Sequence, residues 1–172
     1  MSAIREMTEQ IQAEYAQGED RPLRGYTTAM AVYAGLAAGV AGLARWRRRD
    51  LPERPATADI VLIGIATHKL SRIVAKDAVT SPLRAPFTEY REPTGDGEVM
   101  EEVRGGLGHR HAIGELLTCP FCLAVWTAGG LTTGLVFAPR LARYVSATLT
   151  AVTVSDFLQL AYDAAKKASA EV

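Results

Sequence analysis

Residues 26–44, YTTAMAVYAGLAAGVAGLA, run for nineteen positions without a charged side chain. No other feature restricts the possible folds of this chain so strongly. As a helix the run would span roughly 28 Å, close to the ~30 Å hydrocarbon thickness of a bilayer. Residues 121–138 give eighteen more uncharged positions, and residues 144–162 give nineteen with one charge, Asp156. A soluble amphipathic helix would break such runs with a polar residue every three or four positions. Tyr26, Trp46, Tyr144 and Tyr162 sit at or just beyond the segment ends, where amphipathic rings favour the headgroup layer. A soluble bundle burying Ala-rich helices competes with this reading. Three such runs in 172 residues leave little soluble domain to bury them.

A fourth segment, residues 58–75, starts apolar and then admits His68, Lys69 and Arg72. Its polar half either faces other helices or snorkels to the interface. Thr57 or Asp59 is placed to cap its start. The expected fold is therefore an all-α membrane protein with four transmembrane helices, at 26–45, 57–75, 119–138 and 141–165. A polar or amphipathic segment, 1–25, precedes them, and a short tail, 166–172, follows. Between the second and third spans lies an extramembrane loop, 76–118. In it PTGDG predicts a turn, so a small β-hairpin is expected over about 86–104, with a flexible acidic loop as the alternative. IREMTEQIQAEYAQ reads as a polar helix with Ile4, Met7, Ile11 and Tyr15 on one stripe.

Nineteen basic and nineteen acidic residues cancel, so net charge gives no argument for nucleic acid. The charges are segregated, however. RWRRRDLPERP carries five arginines, and Arg140 and Arg143 follow the third span. Beside a span, such a cluster fits anionic lipid and topology better than nucleic acid. Basic short links favour the cytoplasm, which puts both termini and the 76–118 loop outside. Lys69, Arg72, Lys76 and Arg84 crowd the opposite end and pull the other way. The first 25 residues lack the pattern of a cleavable signal peptide.

Several motifs stand in register: THKLSR (67–72), KDAVTSPLRAPF (76–87), HAIGELLTCPFC (111–122) with Trp126, and SDFLQLAY (155–162). Over about residues 57–165 the chain resembles the DUF1360 family, small bacterial integral membrane proteins of unassigned function. The resemblance implies a helical protein of the bacterial cytoplasmic membrane and brings no activity with it. The N-terminal tail and residues 88–104 lie outside these motifs.

Four groups of residues are candidate sites. Cys119 and Cys122 form a CPFC pair. With Thr118 or Cys119 as N-cap, Pro120 falls in the first helical turn, and the sulfurs lie near free N–H groups and the positive end of the helix dipole. The pair is open to three readings: a redox dithiol or disulfide, part of a metal site, or buried structural thiols. His109 and His111 would complete a two-imidazole, two-thiolate set suited to zinc, although the spacing matches no zinc signature and no cofactor is expected. Asp156 should face protein or water, because a carboxylate in hydrocarbon costs at least ~2.5 kcal/mol. Pairing with Arg72, Lys69 or His68, near Gln159, would make it a clamp between the second and fourth spans. A proton or ion path is the sharper alternative. Finally, Gly35 with Gly39 and Gly130 with Gly134 have the spacing that lets helices approach closely in lipid.

No nucleotide-binding, zinc-protease or hydrolase signature occurs. The expected function is that of a non-enzymatic membrane subunit, partnered by the bilayer and by itself or a larger membrane complex. A thiol–disulfide exchanger (Cys119 attacking, Cys122 resolving) and a channel or transporter subunit are the alternatives.

Overall fold

A computed structural model of the protein describes residues 2–17, 21–49, 54–106 and 108–170. The elements are α1 (Ser2–Ala16), α2 (Leu23–Trp46), α3 (Thr57–Lys76), a 3-10 turn (Ala78–Thr80), α4 (Ser81–Arg84), β1 (Thr88–Gly95), β2 (Glu98–Val103), α5 (His109–Thr118), α6 (Pro120–Phe137) and α7 (Pro139–Ala170). The protein is thus mostly helical, with one two-stranded antiparallel sheet.

Helices α3, α6 and α7 pack against one another, and α2 packs on α5 and α6. The pairs Asp59–Arg143, Leu62–Thr150 and Lys69–Asp156 advance together along both chains, so α3 and α7 are parallel. A hairpin joins α6 to α7, where a Cβ on Gly134 would meet the Ala142 Cβ at 3.0 Å. Tyr33 of α2 meets Trp126 of α6 edge to face, with centroids 5.2 Å apart.

The seam of this bundle is built from small residues. Ala66, Thr67, Ser71 and Ala75 of α3 are buried, as are Ala142, Ser146 and Thr153 of α7. Leu123 and Leu131 are the large buried residues of α6. Large apolar side chains point outward instead: Met30, Leu36, Phe121, Val125, Val154, Phe157, Leu158 and Leu160 are all more than half exposed. The exposed area, 12313 Å², exceeds the about 8,200 Å² expected of a compact soluble chain of this size.

Among the described residues two helices, α2 and α6, are long and apolar enough to cross a membrane. Length and composition alone thus support two of the four expected spans, 26–45 and 119–138. Helix α3 carries Asp59, Lys69, Arg72 and Lys76 among its 20 residues. Helix α7 runs 32 residues, well past 165, and carries Asp156, Asp163 and many hydroxyls. The expected cap of α3 also differs: Ala56 is the N-cap, with no side-chain bond, and Asp59 pairs with Arg143 instead.

Residues 76–118 hold more structure than a loop with a hairpin. Asp77 takes an extended conformation that stops α3, and the helical turn α4 and the helix α5 were not anticipated. The hairpin turns through Asp96 and Gly97, both at positive φ, as a two-residue type I′ turn requires. It then docks back on the 3-10 turn that follows α3, the Gly97 carbonyl accepting from the Ala78 N–H at 2.8 Å. In α1, Met7, Ile11 and Tyr15 are exposed. The Ile4 side chain and tail residues 171–172 lie outside the described residues.

Candidate functional site

Among the described residues the most buried charge lies beneath the C-terminal end of α3. Arg84, whose side chain is 0% exposed, extends from α4 towards β2 and meets Glu101, 5% exposed, at 2.7 Å. A guanidinium has five N–H donors in a fixed fork, and here every nitrogen is engaged. Nε donates to Glu101 Oε2, and Nη1 to the Val74 carbonyl and Thr80 Oγ1, both at 2.7 Å. Nη2 reaches the Asp77 carbonyl, Ser81 Oγ and Glu101 Oε1 at 3.0–3.1 Å. Thr88 Oγ1 also donates to Glu101. Burial pushes the Glu101 carboxyl up, but hydrogen bonds from Arg84, Ser81 and Thr88 outweigh it and hold the group below its ordinary value. One side chain thus ties the end of α3, the 3-10 turn, α4 and the hairpin together.

A second layer of charge surrounds this node. Lys69 Nζ lies 2.8 Å from Asp156 Oδ2, joining α3 to α7. Arg72, offered above as a partner for Asp156, turns instead to Glu98 of the hairpin, with contacts of 2.6–3.0 Å. The Asp77 carboxyl sits among these charges. Burial raises it; Lys69 and Arg84 lower it, and Glu98 and Asp156 raise it further, for a net rise. His68 is exposed, and its carbonyl accepts from Ser71 Oγ. Gln159 is exposed too and donates to Ser155 Oγ within its own helix. The structure brings Lys69 and Asp156 together and leaves His68, Arg72 and Gln159 out of that contact.

The two cysteines occupy a different place, a groove of about 740 Å³ between α2 and the α5–α6 corner. Cys119 is the N-cap of α6 and Pro120 lies in its first turn; the Cys119 sulfur accepts from the Cys122 N–H at 3.2 Å. Both thiols are free, and Cys122 is the more exposed. Met30, Tyr33, Val125 and Trp126 line the groove's apolar part. At its polar end Tyr26 Oη donates to Glu115, which Arg21 and His111 approach at 3.8 and 3.7 Å.

The proposed zinc set does not come together. His111 contacts the Arg104 carbonyl and Glu115. His109 lines a separate groove with Ile11 and Leu23. Among the described residues no three His, Cys, Asp or Glu side chains are placed to share a metal ion. Of the glycines, Gly134 packs against α7, whereas Gly35, Gly39 and Gly130 face open space. The close approaches fall at Gly25 and Gly114, where a Cβ would lie 2.4 Å from Ala112 Cβ and 2.6 Å from Val103 Cγ1. The sequence reading singled out neither position, although Gly25 and Ala29 stand four residues apart. Arg84 and Glu101 were missed as well; an arginine within the apolar SPLRAPF was the available signal.

The family model described as "Protein of unknown function (DUF1360)" matches residues 62–162. A similar curated protein is the sporulation protein YjcA of Bacillus subtilis (strain 168), 38% identical over 88 residues, which cover 50% of this chain and 75% of that protein. No solved structure matches. The matched span contains the Arg84 node, the Lys69–Asp156 pair and both cysteines, while the α2 wall of the cysteine groove lies outside it.

Proposed function

The chain belongs to the DUF1360 family, and from that premise we propose that it is a small integral membrane protein acting as a structural subunit of a membrane assembly. The observation that carries this reading is the distribution of side-chain size: small residues inside, large apolar ones outside. In water that arrangement exposes far more apolar surface than monomeric proteins tolerate. In lipid it is favoured, because close backbone packing holds helices together where hydrophobic burial cannot. Helices α2 and α6 cross the bilayer. Helices α3 and α7 cross with them, their charges directed to the Lys69–Asp156 and Arg143–Asp59 pairs instead of to lipid. The Arg84 node makes the hairpin domain a rigid cap on one membrane face, and the basic α2–α3 link lies on the cytoplasmic face. The named role of the Bacillus relative supports sporulation as the process served.

Alkaline carbonate extraction followed by crosslinking in native membranes tests this. The chain is expected to stay in the membrane pellet, dissolve only in detergent, and crosslink to itself or to a discrete partner. Release into the carbonate supernatant would overturn the membrane reading. A strictly monomeric chain without co-purifying partners would overturn the subunit role.

A further inference from the structure

Helix α2 ends in an unusual way. The Arg49 N–H bonds the Ala44 carbonyl at 2.9 Å, and the Arg48 N–H bonds the Arg45 carbonyl at 3.1 Å. This is the Schellman closure, whose left-handed position is normally glycine. Here that position is Arg48, at φ 49°, where a side chain carries a conformational cost that glycine avoids.

The closure leaves Arg47, Arg48 and Arg49 exposed beside Arg45. Arg54 and Arg140 are exposed at the same end of the bundle, and among the described residues none of these six has a charged partner. Counting Asp50 and Glu53 from the sequence, and setting aside the Arg143–Asp59 pair, six arginines still face only two acids. Trp46 and Tyr144, 77% and 76% exposed, lie beside the basic groups. Below them is the outer half of α2, apolar and almost wholly uncovered. A cationic rim, an aromatic level and a bare apolar helix follow in the order of a bilayer's phosphates, interface and tails.

We propose that this end of the protein is a binding surface for the phosphate groups of anionic phospholipids, gripped chiefly by Arg47, Arg48 and Arg49. The proposal rests on the membrane reading above and adds a lipid class to it. Planar guanidinium forks engage phosphate oxygens two at a time, and anionic headgroups attract each basic residue near the surface. Zwitterionic lipid offers the same tails without the net charge.

The test measures lipid bound to the full-length protein in mild detergent, with phosphatidylglycerol and phosphatidylcholine as probes and inorganic phosphate as competitor. The wild-type chain is expected to retain phosphatidylglycerol at least tenfold over phosphatidylcholine, with retention falling as salt rises. Replacing Arg47, Arg48 and Arg49 together with Gln should cut phosphatidylglycerol retention on the order of 10- to 100-fold and leave phosphatidylcholine retention unchanged. The single change Arg48→Gly discriminates further: it relieves the left-handed position, so it should raise the melting temperature while lowering phosphatidylglycerol retention severalfold. Equal retention of both lipids, an unaffected triple variant, or full displacement by millimolar phosphate would overturn the proposal. So would Arg48→Gly lowering stability and retention together, because the arginine would then serve the fold. A chain soluble without detergent would refute the membrane reading itself, an outcome distinct from these.

Discussion

Replacing Arg84 with methionine fills a similar length of space with an apolar chain and leaves Glu101 buried without its counter-charge. The Glu101 side chain is 5% exposed and would keep its hydrogen bond from Thr88. Leaving one member of a buried pair uncompensated costs about 3–5 kcal/mol, and the Val74 and Asp77 carbonyls lose donors worth about 1 kcal/mol each. Partial relaxation will recover some of this, so about 4 kcal/mol is expected. For a chain of this length that lowers the melting temperature by about 8–16 °C. Thermal unfolding in detergent supplies the global value, and hydrogen exchange of the Glu98–Val103 amides reports the hairpin. Combining Arg84→Met with Glu101→Leu removes both charges and should be less destabilising than Arg84→Met alone. A melting temperature within about 2 °C of wild type, or a double variant as unstable as the sum of its parts, would refute the reasoning.

Other outcomes follow from the same geometry. Because Glu101 is held below its ordinary 4.5, its contribution is complete at neutral pH, declines as pH falls below 4.5, and is gone once acid passes the depressed folded value; Glu101→Gln should flatten acid unfolding in that range. Exchanging the partners, Lys69→Asp with Asp156→Lys, should restore much of the stability that either single change loses, as measured by a double-mutant cycle. If the exchange rescues nothing, the 2.8 Å contact is not what joins α3 to α7. Gly25→Ala places a Cβ 2.4 Å from Ala112 Cβ and should cost about 1–3 kcal/mol by overpacking; adding Ala112→Gly should recover most of it, read by melting temperature.

Much of the local structure was legible along the chain. The Asp96-Gly97 dipeptide implied a turn, and both residues take the positive φ that such a turn demands. Cys119-Pro120 implied a helix start, and Cys119 caps α6 with its own sulfur. Charge pairing was much less legible. Arg72 and Lys69 are three positions apart on one helix, yet one reaches forward to Glu98 and the other sideways to Asp156. The Tyr26–Glu115 contact spans 89 positions. Spacing could nominate these residues but could not choose among them, because helix rotation and crossing decide which tips come within reach.

Run length and the absence of charge determined by themselves that the chain makes long apolar helices, since backbone groups in such runs have few other ways to be satisfied. Turn and cap chemistry was equally local. Only the assembled structure decided that the small side chains face inward, that Arg84 is sealed beneath α3, and that the arginines closing α2 stand exposed. Those outcomes depend on contacts between segments distant in the chain, whose energies arise only once the helices have chosen neighbours.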